Sequence, residues 1–172
     1  MKTATTIDSI NHLDLPRFVE LLGGIYEHSP WVAETVFQQK PFADAEQLLR
    51  AMAQCVGAAD DSQRRKLLCS HPQLAGREAQ AGTLTRASQS EQSSAGLNQC
   101  SAQELAHIKQ LNQRYQENFT FPFIIAVTGL NKFQIIAVME ARLTNPVGTE
   151  FNTALSEVDK IAAIRLNALI DG

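Results

Sequence analysis

Three side chains in this sequence combine a reactive type with a constrained setting. The first is Arg165. Phe151, Leu155, Val158, Ala162, Arg165 and Leu169 recur at alternating steps of four and three, so they share one face of a helix. Every member is apolar except the arginine. An arginine on a buried stripe needs a carboxylate or a bound anion, unless its long stem carries the charge out to water. The second is His71, in Ser70-His-Pro-Gln-Leu-Ala-Gly76. Pro72 and Gly76 make this a non-repetitive loop, and imidazole is the side chain best suited to proton transfer near neutral pH. A structural role for a histidine before proline stands beside that reading. The third is Glu91, which follows Ser88 by three residues. It is either the reciprocal member of a capping box or a carboxylate with work to do. His28, in Tyr26-Glu-His-Ser-Pro-Trp31, is a second acid–base candidate in a segment that also reads as a helix start with an aromatic anchor.

The elements that position these residues are helical. Leu15, Phe18 and Leu22 mark a first helix, closed by Gly23-Gly24. Ser29 reads as an N-cap with Pro30 in the first turn. Asp44 opens a helix that puts Leu48, Met52, Cys55 and Val56 on one face, and Ser62–Leu68 forms a short one. His71 to Thr85 reads as loop. Ser88 should start a short helix that ends near Gly96. Ser101 and Glu104 form a stronger capping signal, ahead of a stripe of Leu105, Ile108, Leu111, Tyr115 and Phe119. Phe121-Pro-Phe-Ile-Ile-Ala-Val127 is buried extended chain, since Pro122 discourages a central strand. Helices then cover 131–143 and about 148–170. The pattern predicts an all-α fold over residues 1–172, a single compact domain of about eight helices.

Composition narrows the function classes. The 172 residues carry 18 acidic and 15 basic side chains, a net charge of −3. That disfavours nucleic acid and an anionic membrane surface as partners. The longest apolar run, Phe121–Val127, is far short of the ~18 residues of a membrane span. Met1-Lys2 leads into polar residues, so no signal peptide is visible. Three cysteines (Cys55, Cys69, Cys100) show no C-x-x-C spacing, and four dispersed histidines show no paired spacing. A disulfide framework and a metal site are not expected, and a reducing cytoplasm fits.

The motifs around Tyr26–Glu34, His71–Gly76, Ser88–Leu97 and Phe121–Val127 occur in this order, followed by Ala154-Leu-Ser-Glu-Val-Asp-Lys-Ile-Ala-Ala-Ile-Arg-Leu166. Together they closely resemble the 2-oxo-4-hydroxy-4-carboxy-5-ureidoimidazoline (OHCU) decarboxylase family of ureide metabolism. The resemblance implies an all-helical, cofactor-free and metal-free enzyme that acts on a small-molecule ureide, typically as a homodimer. Its reaction converts OHCU to (S)-allantoin and CO2, the last step from urate to allantoin. By the same resemblance, His71 is the catalytic acid–base residue and Glu91 and Arg165 are its companions. Pro72, Ser88, Gln89, Ser90, Glu91 and Gln92 line the substrate site with Phe123, Ile124, Ile125, Ala126 and Val127. Asp171-Gly172 is not a peroxisomal tripeptide, which implies a cytoplasmic, bacterial-type enzyme.

The residues leave three matters open. The division of proton-transfer roles between His71 and Glu91 is not set by spacing. A helical interaction module accounts for the amphipathic helices but gives Arg165 no partner. A hydrolase acting on an earlier ureide would need a metal or an activated nucleophile, and no such constellation stands out. If Arg165 is a buried charge waiting for an anionic substrate, leucine in its place preserves or raises the melting temperature and abolishes activity.

Overall fold

The computed structural model describes residues 5–171. The first residues of the segment read for a leader, and the final Gly172, lie outside the described residues. Ten α-helices and two 3-10 turns make up the regular structure, with no strand among the described residues. The fold is all-α, as the periodicity predicts.

The chain divides into two compact units. One runs through Ser70 and takes up the chain again from Asp159. The other is His71–Val158.

In the first unit, α1 (Ile7–Asn11), α2 (Leu15–Leu22), α3 (Trp31–Val36), α4 (Ala45–Ala58) and α5 (Asp61–Cys69) each contribute buried apolar residues, among them Ile10, Phe18, Val36, Met52 and Leu68. Asp14, Asp44 and Asp60 cap their helices by accepting from the backbone N–H three residues on. At Asp44 the Gln47 side chain returns a bond, but to Ala43 N–H rather than to the cap residue (2.6 Å). Pro30, not Ser29, occupies the cap position of α3, and the Ser29 hydroxyl donates to Glu27 O instead. The Asn11 carboxamide exchanges two 2.8 Å hydrogen bonds with the Phe42 backbone and holds the α3–α4 connection.

The second unit contains α6 (Arg77–Ala81), α7 (Arg86–Ser94), α8 (Ala102–Phe119), α9 (Lys132–Arg142) and the first part of α10 (Val147–Asp171). Helix α6 lies inside the stretch expected as loop. Gly76 before it and Gly82 after it allow only five helical residues, too few to show a period. The α7 start also differs from expectation. Thr85 is the N-cap, its Oγ1 accepting from Ser88 N–H (3.2 Å), so Ser88 is a buried residue within the helix rather than its cap. The Ser101–Glu104 capping box of α8 is present in both directions.

A buried ion pair organises this second core. Arg142 donates from Nε and Nη2 to the Glu150 carboxylate (3.0 and 2.9 Å) and from Nη1 to Ile124 O (2.7 Å). The Tyr115 hydroxyl also donates to Glu150, and the guanidinium lies 4.4 Å from the Phe123 ring centroid. Glu150 is 0% exposed. Burial raises its pKa, but hydrogen bonds from Arg142, Tyr115 and Asn145 outweigh that and hold it below the usual glutamate value. Tyr115 packs against Phe119, Phe121 and Phe123 at 4.5–5.9 Å.

Because the folded value of Glu150 is depressed, its contribution to stability is fully present above the ordinary value near 4.5 and is lost as pH falls through the folded one. Glu150→Gln leaves Arg142 buried and uncompensated, and should cost about 3–5 kcal/mol. Thermal melts from pH 3 to 8 should show a lower plateau and a shallower acid limb than wild type. An unchanged acid limb contradicts this account.

Candidate active site

The His71 loop is built by strong local constraints. Ser70 caps α5, and Pro72 then restricts both its own φ and the conformation of His71 before it. Gly76 N–H closes a turn on Gln73 O (3.3 Å). Gly76 must be glycine here, because a Cβ would stand 2.6 Å from the Gln73 Cβ. His71 itself is buried at 8% exposure.

Helix α7 presents Ser88, Glu91 and Gln92 on one side. Ser88 and Gln92 are buried and Glu91 is half-buried, whereas Gln89 and Ser90 are exposed. Glu91 lies in the second turn, beyond any capping position of this helix, so the capping explanation for its presence falls. Gln92 ties the helix to the histidine loop. Its Oε1 accepts from Ala75 N–H (2.9 Å) and its Nε2 donates to Gln73 O (3.5 Å). Gln89 and Gln92 also line a cavity of about 310 Å³ bounded by α6, α7 and the start of α8, whose lining does not include His71 or Glu91.

The segment 121–127 is non-helical, as expected. Phe123 is buried, its ring set edge-on to Tyr115 at 5.3 Å and against Arg142, so its side chain belongs to the core. Two backbone groups are already committed. Ile124 O accepts from Arg142, and Ala126 N–H donates to Glu157 Oε2 (2.8 Å). Between them, the N–H and C=O of Ile125 engage no hydrogen-bond partner among the described residues.

One turn of α8 holds both pieces. The Asn112 Nδ2 donates to Leu74 O in the histidine loop (3.0 Å), and Tyr115, three residues on, packs against Phe121 and Phe123. Neither Asn112 nor the Arg142–Glu150 pair was singled out from the sequence. The signal for Asn112 was a carboxamide at a helical step from Ile108 and Tyr115, within an otherwise apolar stripe. For Arg142 it was a guanidinium in register with Ile135 and Met139.

Arg165 belongs to the first unit, and there its carboxylate partner is Glu27. Nη1 lies 2.7 Å from Glu27 Oε2 and 3.2 Å from Gly24 O, with both side chains buried (8% and 1% exposed). Snorkelling is therefore excluded, and the expectation for leucine reverses. His28, next to Glu27, has φ +48° and a side chain 63% exposed. Tyr26 donates to Asp159 (2.8 Å), 133 residues on in the chain, and desolvation is the largest cause raising both pKa values. Among the described residues, no three His, Cys, Asp or Glu side chains gather as a metal cluster, and no helix is long and apolar enough to cross a membrane.

The regular elements among the described residues are thus helical, and they display a fixed histidine loop, an inward glutamate and a strip of partly uncommitted backbone. Comparison with known proteins agrees with this class of fold and names it. The OHCU decarboxylase profile matches residues 11–167. A Haloferax volcanii protein described as 2-oxo-4-hydroxy-4-carboxy-5-ureidoimidazoline decarboxylase is 42% identical over 161 residues, 94% of each chain. A Halalkalicoccus jeotgali protein of the same description is 39% identical, over 97% of this chain and 93% of its own. The crystal structure of an (S)-allantoin synthase matches 97% of this chain with TM-score 0.77 and 32% identity, and this chain spans about half (55%) of that one. A crystal structure of OHCU decarboxylase in the presence of (S)-allantoin shares the fold, with TM-score 0.68 and 21% identity. The chain belongs to the OHCU decarboxylase family.

Arg165→Leu takes from the buried Glu27 carboxylate the guanidinium 2.7 Å away, while His28 Nε2 stands farther off at 3.9 Å, and should destabilise the protein by about 3–5 kcal/mol. The double variant Glu27→Gln/Arg165→Leu should recover much of that loss. Urea unfolding of the two variants measures the difference. A single variant as stable as wild type contradicts a structural role for the pair.

Proposed function

We propose that this chain decarboxylates OHCU, releasing CO2 and forming (S)-allantoin in urate degradation. The observation that carries the reading is the 42% identity, over 94% of both chains, to a relative described by that activity. The site geometry supports it in three respects.

A decarboxylase needs somewhere to put the electron pair left by CO2, a service often supplied by a cofactor. OHCU carries its own sink. When the bond from the hydroxyl-bearing ring carbon to the carboxylate breaks, the pair flows into the adjacent ring C=N bond. The nitrogen gains the charge and takes a proton from solvent, and an enol remains. Loss of the hydroxyl proton re-forms a carbonyl, and a proton is added to the ureido-bearing carbon. Delivery to one face makes the product chiral.

The enzyme therefore has to grip, accept a proton and donate one. His71, buried in a loop closed by Gly76 and tied to α7, supplies the proton to carbon. Glu91, half-buried on the inward side of α7, accepts from the hydroxyl. The family resemblance makes Arg165 the third companion, and a guanidinium of its kind, held by Glu27 within the first unit, suits a carboxylate or carbonyl through its planar fork. Extended chain sends the backbone groups of successive residues to opposite sides. With Ile124 and Ala126 tied to Arg142 and Glu157, the N–H and C=O of Ile125 offer a donor and an acceptor to a ureide ring. Pro72, Ser88 and Val127 complete the walls. Homodimer assembly and a cytoplasmic location belong to this same reading.

OHCU generated in the cuvette from urate, with urate oxidase and hydroxyisourate hydrolase, should be consumed faster with the protein present and give optically active (S)-allantoin. Racemic product at the spontaneous rate sinks the proposal. His71→Asn should lose about 10²–10⁴-fold in kcat/KM with its helical circular dichroism intact. Glu91→Gln should be similarly inactive with its helical circular dichroism intact, because Glu91 lies beyond the capping positions of α7. A Glu91→Gln enzyme with wild-type kcat removes that residue from the chemistry.

A further inference from the structure

The histidine loop does not hold its shape by itself. Ala75 has φ +47°, a left-handed conformation that a side chain with a Cβ adopts only at a cost in free energy. Three consecutive backbone groups around it are held from outside. Gln92 takes Ala75 N–H and Gln73 O, and Asn112 takes Leu74 O (3.0 Å). Both carboxamides are buried, at 5% and 4% exposure. Only Pro72 separates this clamp from His71. Proline fixes its own φ and confines the residue before it to extended conformations, so little freedom remains between Gln73 and the imidazole.

Asn112 carries a second peculiarity. Its Oδ1 is buried and has no hydrogen-bond partner. Rotating the amide would bring that oxygen against Leu74 O, so the orientation is set by the donor. A buried acceptor without a bond is a loss for stability. The position follows Ile108 by four residues and precedes Tyr115 by three, so an apolar side chain would continue the buried face of α8. The carboxamide is thus a poor choice for packing and a good one for placing the loop.

We propose that Asn112 is a positioning residue for His71, acting through Leu74 O in concert with Gln92. The proposal rests on the reading of His71 as the proton donor. In its terms, Asn112 touches neither substrate nor reacting atoms. It sets where the imidazole stands when the proton is delivered, so its loss affects turnover rather than binding.

The test uses the full-length protein and two variants. Asn112→Leu removes the donor and continues the apolar stripe. Asn112→Asp keeps the shape and sets an acceptor against Leu74 O. In both, kcat for OHCU should fall about tenfold or more while KM stays within about twofold. The imidazole NMR resonances of His71, assigned by comparison with His71→Asn, should shift in the substrate-free protein. A merely structural asparagine would alter the melting temperature and leave these two readouts in place. If Asn112→Leu does not fold, Asn112→Asp carries the same measurements. Wild-type kcat together with unmoved His71 resonances in a folded variant overturns the proposal. Wild-type protein inactive on OHCU, but with resonances that move in the variants, overturns the decarboxylase reading and leaves the positioning of His71 standing.

Discussion

A guanidinium sealed away from water must be surrounded by acceptors, and the second unit is arranged around that requirement. Arg142 reaches the Glu150 carboxylate and Ile124 O, and Tyr115 completes the carboxylate's shell. Each partner comes from a different stretch of chain: α8, the non-helical segment and the start of α10. The charge tolerates no vacancy among them, since removing one acceptor would leave an ion in a medium of low polarity. The non-helical segment therefore cannot slide by a residue. Its register is dictated by a side chain that has no contact with chemistry.

The same logic of a fixed anchor and an adaptable edge recurs elsewhere. Helix α8 sends Asn112 to one loop and Tyr115 to the other, so two pieces far apart in sequence share one rigid reference. In the first unit the Glu27–Arg165 pair does similar work, joining the turn after α2 to the C-terminal helix across 138 residues. Buried ion pairs contribute little net stability compared with well-packed apolar groups, but they punish the wrong arrangement severely. That penalty fixes the positions of the loops more firmly than extra cohesion would.

What could be read in the sequence follows from range. Helical stripes and caps are local: Asp44 and Ser101 are where their spacing placed them, and the non-helical character of 121–127 follows from Pro122 and the lack of a helical period. The errors were local as well. Ser88 and Glu91 match a capping pattern, yet Thr85 captured the helix start three residues earlier, because its hydroxyl accepts from the Ser88 N–H as an N-cap serine would. Five-residue α6 gave no period to detect. The candidate site was only half legible. His71, Glu91 and Arg165 were named by type, setting and resemblance, but the groups that hold their surroundings (Glu27, Gln92 as a clamp, Asn112, Arg142) act over separations that no spacing rule encodes.

The aromatic residues are distributed unevenly enough to report on the two units separately. Trp31, the only tryptophan, and Tyr26 lie in the first unit, while Tyr115 lies in the second. Tryptophan-selective fluorescence therefore watches the first unit alone, whereas far-ultraviolet circular dichroism averages over helices of both. Superimposed denaturation curves from the two signals would identify a single cooperative transition, and separated curves would identify two. The chain thus carries its own built-in gauge of whether its halves unfold as one.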